Sequence, residues 1–175
     1  MKRAFDLSQL IGFGVTVLLG TLLHFVYEWC GKSVWIAPFS GVNESTWEHM
    51  KLLFWPMLIF TLAESFFRGG RVDFWCIKAR GILLGLISIP VLYYTYNGVI
   101  GKSPDWVNIA IFFVAAAIAF VYKAVLLKRD GTTCFKPWLA MTVLLAIALS
   151  FVVFTYHPPR IEIFRDPTTG IYGMS

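Results

Sequence analysis

The sequence predicts an all-α integral membrane bundle of five transmembrane helices with its N-terminus inside and its C-terminal tail outside. Three observations carry this. The chain is 58% hydrophobic and only 14% charged, with a mean hydropathy of +0.70, which is more apolar surface than a soluble domain of this size can bury. The apolar residues fall into five runs, each about as long as the ~20 residues needed to cross ~30 Å of hydrocarbon. The basic residues divide unequally between the two sides that these runs separate.

The first run ends in His24-Phe25-Val26-Tyr27-Glu28-Trp29, and the spacing predicts a helix over 7–29. No small-x-small cleavage site follows it, so it reads as an uncleaved first span rather than a signal peptide. The second helix, 47–67, begins at a capping box in which Ser45 is the N-cap and Glu48 follows three residues later. It stops before Gly69-Gly70. Helices three to five are expected over 77–96, 104–127 and 137–156, with Pro104 and Pro137 in the first-turn positions that tolerate proline. No repeat or linker divides the chain, so 1–175 reads as one transmembrane domain.

Ten basic residues (Lys2, Arg3, Arg68, Arg71, Lys78, Arg80, Lys123, Lys128, Arg129 and Lys136) fall on one side of the membrane and five (Lys32, Lys51, Lys102, Arg160 and Arg165) on the other. The richer side is expected to be cytoplasmic. The net charge of +5 therefore reports topology and not a nucleic-acid partner, since the basic residues form no single face. The lipid bilayer is the expected partner; a membrane-protein partner and an oligomeric state stay open.

Against this apolar background the stretch Asn43-Glu44-Ser45-Thr46-Trp47-Glu48-His49-Met50-Lys51 stands out. An unpaired charge near the bilayer centre costs about 3 kcal/mol, so these groups require partners. All three histidines, His24, His49 and His157, are expected at the outer helix ends, together with Glu28, Glu44 and Glu48. At 100° per residue Glu44, Glu48, Lys51 and Trp55 form a stripe about 60° wide, and His24 and Glu28 share a face of the first helix. Imidazole and carboxylate side chains suit a divalent cation such as zinc, with a fourth position left for water. His24, His49 and His157 are then the candidate metal ligands and Glu48 the candidate general base of a metal-dependent hydrolase. Glu28, Glu44, Asn43, Lys51 and Asp166 are candidate contacts for a metal ion or small polar ligand.

Blander readings exist for each. Glu48 can cap its helix, Lys51 can neutralise Glu48, and His24 can be a hydrogen-bonded interior histidine. No His-Glu-x-x-His pattern is present. The alternatives to a metal or ligand site are a structural or accessory membrane subunit and a small ion-coupled transporter. Glu64 is expected to form an interfacial i,i+4 pair with Arg68. Cys30 is assigned outside, and Cys76 and Cys134 are expected to be reduced thiols inside, with no disulfide framework.

The tail, 157–175, mixes prolines, an Asp166-Pro167-Thr168-Thr169-Gly170 turn and large apolar residues, which suits a segment folded over the outer mouth. The motif Asn43-Glu44-Ser45-x-Trp47-Glu48-His49-x-Lys51, preceded by His24-Phe25-x-Tyr27-Glu28-Trp29 and followed by Asp166-Pro167-x-Thr169-Gly170-x-Tyr172-Gly173, resembles a family of small integral membrane proteins from Gram-positive bacteria of uncharacterised function. The resemblance covers the whole chain. It implies a multi-pass protein of a bacterial plasma membrane in which the three stretches belong together, and it supplies no catalytic residue.

Overall fold

The computed structural model describes residues 2–68, 73–128, 134 and 136–174, with the backbone alone for 2–6, 68 and 128. Its helices are α1 (Lys2–Trp29), α2 (Thr46–Arg68), α3 (Phe74–Val99), α4 (Asp105–Lys128) and α5 (Pro137–Tyr156), followed by a short 3-10 turn over Glu162–Phe164. All five α-helices are long and apolar enough to cross a membrane, and the described residues form no strand. The expected 77–96 helix is longer at both ends because the backbone ladder continues past the apolar run. It stops where the Ile100 amide bonds the Tyr96 carbonyl and Gly101 takes a positive φ of 109°.

Helices α1, α2, α3 and α4 form a closed ring, each packing on the next and α4 returning to α1, while α5 lies outside it against α3. The ring encloses Leu53, Phe54, Met57, Ile82, Ala115 and Ala119, all fully buried. Small residues allow close approach between helices in lipid, where burial of apolar surface supplies little driving force. At Gly85 a Cβ would lie 3.0 Å from the Ala119 side chain and 3.4 Å from the Ala115 carbonyl. Any larger residue there would therefore push α3 off α4.

The α1–α2 connection folds back into the bundle. Ser40 is fully buried; its hydroxyl donates to the Leu23 carbonyl and accepts from the Tyr27 amide at 2.9 Å. The fully buried Lys51 anchors this connection. Its Nζ lies 2.5 Å from Glu48 Oε2 and donates to the Ala37 carbonyl at 2.8 Å and Thr155 Oγ1 at 3.0 Å. Three donors meet three acceptors, joining the connection, α2 and α5. Glu48 Oε2 also accepts from the Val42 amide at 3.0 Å. Half of the expected capping box forms: Ser45 Oγ accepts from the Glu48 amide at 3.4 Å, while the Glu48 carboxylate turns to Lys51 instead.

The tail covers the same end of the ring. Phe164 is buried against Trp47, ring centres 4.6 Å apart, and Trp47 also meets Phe151. Asn43 Nδ2 donates to the Gly173 carbonyl at 2.8 Å. The turn after Asp166 closes with the Gly170 amide on the Asp166 carbonyl at 2.8 Å, Gly170 having φ 74°.

The opposite end adds a buried ion pair and corrects one expectation. Glu64 is buried and paired with the fully buried Lys78, and Ser8 Oγ donates to it at 3.0 Å; the side chain of Arg68, its expected partner, lies outside the described residues. Cys76 and Cys134 are not separate thiols but a disulfide with Cα atoms 5.9 Å apart, a separation within the usual range. Packing of α5 on α3 brings together cysteines 58 residues apart. Lys123 is also fully buried, its Nζ 3.3 Å from the Phe120 ring centre and without a hydrogen-bond partner among the described residues.

These two lysines should respond oppositely to removal of their charge. Lys51→Met strands Glu48 and should cost about 3–5 kcal/mol, whereas Lys123→Met removes an unsatisfied amine and should leave the Tm unchanged or higher. Thermal unfolding in detergent checks this, and a shift of the same sign and size for both would contradict it.

Candidate metal centre

Helix α2 begins at Thr46, so Glu44 belongs to the preceding loop and not to the helical stripe that contains Glu48. Two contacts fix that loop: the Ser45 amide donates to Asn43 Oδ1 at 2.9 Å, and the Glu44 amide reaches Asp166 Oδ2 at 3.5 Å. The Glu44 side chain is thereby placed between the last turns of α1 and the first turn of α2. Its Oε1 lies 3.3 Å from His24 Nε2 and its Oε2 3.7 Å from His49 Nε2. The two imidazole centres are 6.0 Å apart, and one ligand atom from each of the three residues lies within 4.8 Å of the others.

The orientation of His49 is set from behind. Its Nδ1 is 2.9 Å from the Ser45 carbonyl, an acceptor, so Nδ1 must carry a hydrogen. In the neutral ring the Nε2 lone pair then points at the Glu44 carboxylate. Two acceptors face one another there, and a cation between them, a proton or a metal ion, relieves the repulsion. A backbone carbonyl holding the far nitrogen of a histidine is also the usual support for a metal-binding imidazole.

A tetrahedral ion sets the spacing that its ligand atoms must have. With bonds of about 2.0–2.1 Å to nitrogen and oxygen, adjacent ligand atoms around zinc are separated by roughly 3.3–3.4 Å. Glu44 Oε1 stands at this separation from His24 Nε2 and Glu44 Oε2 a few tenths of an ångström beyond it from His49 Nε2, so the imidazoles face different oxygens, and the ligand atoms, which lie within 4.8 Å of one another, must draw in to share one ion. A narrow cleft beside the group is lined by Glu44, Thr46, His49, Tyr93, Asn108 and Phe112. Asn108 is steadied by the Ser103 hydroxyl at 2.9 Å.

The other residues singled out from the sequence are placed elsewhere. Glu48 and Lys51 are spent on each other. Glu28 is exposed and lies 3.8 Å from Lys32. His157 is exposed at the C-terminal cap of α5 and is absent from the histidine–glutamate group. Asn43 and Asp166 hold the loop rather than the ligand position. Tyr93 and Asn108 escaped sequence reading, and the signal for them was weak: each is a polar residue near the helix end that connectivity places beside the start of α2.

Hydrogen bonding from His24 lowers the Glu44 pKa below the ordinary glutamate range, against burial, and the nearby histidines add to this. Burial pushes the Asp166 carboxyl up, but amides of Thr168, Thr169 and Glu44 outweigh it and the net shift is downward. A carboxylate with a depressed folded pKa stabilises the fold fully above its unfolded pKa, about 4, and loses that contribution as pH falls through the folded pKa. Stability should therefore fall steeply below about pH 4, and Asp166→Asn should flatten that acid limb. Melting curves across pH 6 to 2 that are flat for the unmodified chain would contradict this.

None of the curated proteins and no solved structure matches the chain. A family model, the DUF6512 family of unknown function, matches residues 3–174. With nearly the whole chain matched, from the start of α1 to the end of the tail, this five-helix protein belongs to the DUF6512 family.

Proposed function

We propose that the chain is a multi-pass membrane protein that binds a divalent cation of the zinc type through His24, Glu44 and His49. The observation that carries this is the position of the Glu44 carboxylate, which faces His24 and a His49 whose other nitrogen is held by a backbone carbonyl. Two imidazoles and one carboxylate leave a fourth position, and in this fold it would open towards the cleft of Thr46, Tyr93 and Asn108. Glu48, the expected base for a hydrolase, is engaged by Lys51, which leaves a cation site without a general base.

The metal end would face outward, in the plasma membrane of a bacterium. Lys78, Lys123 and Lys51 are buried inside the bundle, and setting them aside leaves eight basic residues against four, the same bias. The Cys76–Cys134 bridge at the basic end weighs the other way, since cytoplasmic thiols are ordinarily reduced. Charge bias carries the reading because it acts at insertion, whereas cysteine pairing follows proximity and the redox poise of the compartment.

Protein stripped with chelator and dialysed against zinc should hold one ion per chain, and His24→Ala, His49→Ala and Glu44→Gln should each abolish stoichiometric binding. If the three residues are only a hydrogen-bonded clasp, the same variants lower the Tm in a chain that takes up no metal. Orientation is read from the exposed free thiol Cys30, which a membrane-impermeant maleimide should label in intact cells; labelling only after lysis would reverse the assignment.

A further inference from the structure

Helix α5 is bound loosely to the ring. Of its residues only Leu144, Phe151 and Thr155 are buried, and its first two turns border α3 across an open space. The space between them is a groove whose walls are Leu83 of α3 and Leu139, Ala140 and Val143 of α5. In a bilayer such a groove is filled by hydrocarbon, since water there would leave apolar walls wet.

The mouth of the groove has a different chemistry. Arg80 and Lys136, both exposed, line it from the two helices. α3 and α5 run in the same direction, so these cations sit at the same end of the groove, and Leu83 and Val143 lie about 5–10 Å deeper at 1.5 Å per residue. The Cys76–Cys134 disulfide borders the same mouth and ties the approach to α5 to the first turn of α3. The backbone segments that carry the two cations are therefore joined covalently beside the mouth.

We propose that this groove is a binding site for an anionic phospholipid, with the headgroup phosphate between Arg80 and Lys136 and part of an acyl chain against Leu83, Ala140 and Val143. The arginine fork matches two phosphate oxygens and lysine supplies a mobile point charge. Basic pockets between transmembrane helices take anionic headgroups for this reason. A zwitterionic lipid presents the same phosphate with a cationic choline attached, which the two side chains repel. The site is remote from His24, Glu44 and His49 and stands or falls independently of the metal.

Native mass spectrometry of the full chain, released from detergent with equimolar phosphatidylglycerol and phosphatidylcholine, tests it. Two cations near an anionic lipid predict roughly tenfold or greater retention of phosphatidylglycerol. The Arg80→Ala/Lys136→Ala double variant should lose that preference with its Tm unchanged, because both side chains are exposed. Lys102→Ala, at the opposite end, should keep it, and Ala140→Trp, which fills the groove, should lower retention of both lipids. Equal retention of the two lipids by the unmodified chain, a preference that survives the double variant, or lipid retention unaffected by Ala140→Trp in a folded protein would overturn the proposal.

Discussion

The architecture at the end of the bundle that the tail covers depends on one buried ion pair, Lys51 with Glu48. In so apolar a bundle, a fully buried lysine is least costly where its three hydrogens and its charge are all answered. Here they are answered by a carboxylate, the Ala37 carbonyl and the Thr155 hydroxyl. Those acceptors come from α2, the α1–α2 connection and α5, so satisfying a single ammonium fixes the relative positions of three parts of the chain. The Val42 amide on Glu48 extends the hold to the residue just before the Asn43–Ser45 turn. Glu44 follows directly, and its reach to His24 and His49 is a consequence of where this pair pins the loop.

The two ends of the bundle treat buried charge differently. At the tail end the buried charges Glu48 and Lys51 answer each other, and Glu44 and His49 face one another as acceptors. At the other end Glu64 neutralises Lys78, while Lys123 rests on Phe120 with no hydrogen-bond partner among the described residues. Cation–π attraction offsets part of its desolvation but supplies no acceptor. The helices can carry this local cost because the ring between the two ends is packed by aromatic and small residues in mutual contact.

The helices were legible because apolar runs of membrane length leave little choice of element, and chain alternation then assigned the ends. Side-chain direction was not legible in the same way. The helical stripe that groups Glu44 with Glu48 and Lys51 assumes a helix already running at position 44, but α2 begins at Thr46. That difference of two residues exchanges the parts played by the two glutamates: Glu48 turns inward to Lys51 and Glu44 turns to the histidines. Glu28 and His157 show the same limit from the other side, since a position at a helix end gives the level in the membrane and not the face. Chain alternation puts Cys76 and Cys134 at the same end; the expectation of reduced thiols comes from assigning that end to the cytoplasm, and the packing of α5 beside α3 that joins them is encoded by no local pattern.

Zinc K-edge X-ray absorption on the metal-loaded chain tests the central claim most directly, because it reads ligand type and distance without altering the protein. The account predicts a first shell of two imidazole nitrogens and carboxylate or water oxygens at about 2.0–2.2 Å, with the outer-ring scattering of histidine. A sulfur shell near 2.3 Å, or an all-oxygen shell lacking imidazole scattering, would contradict it.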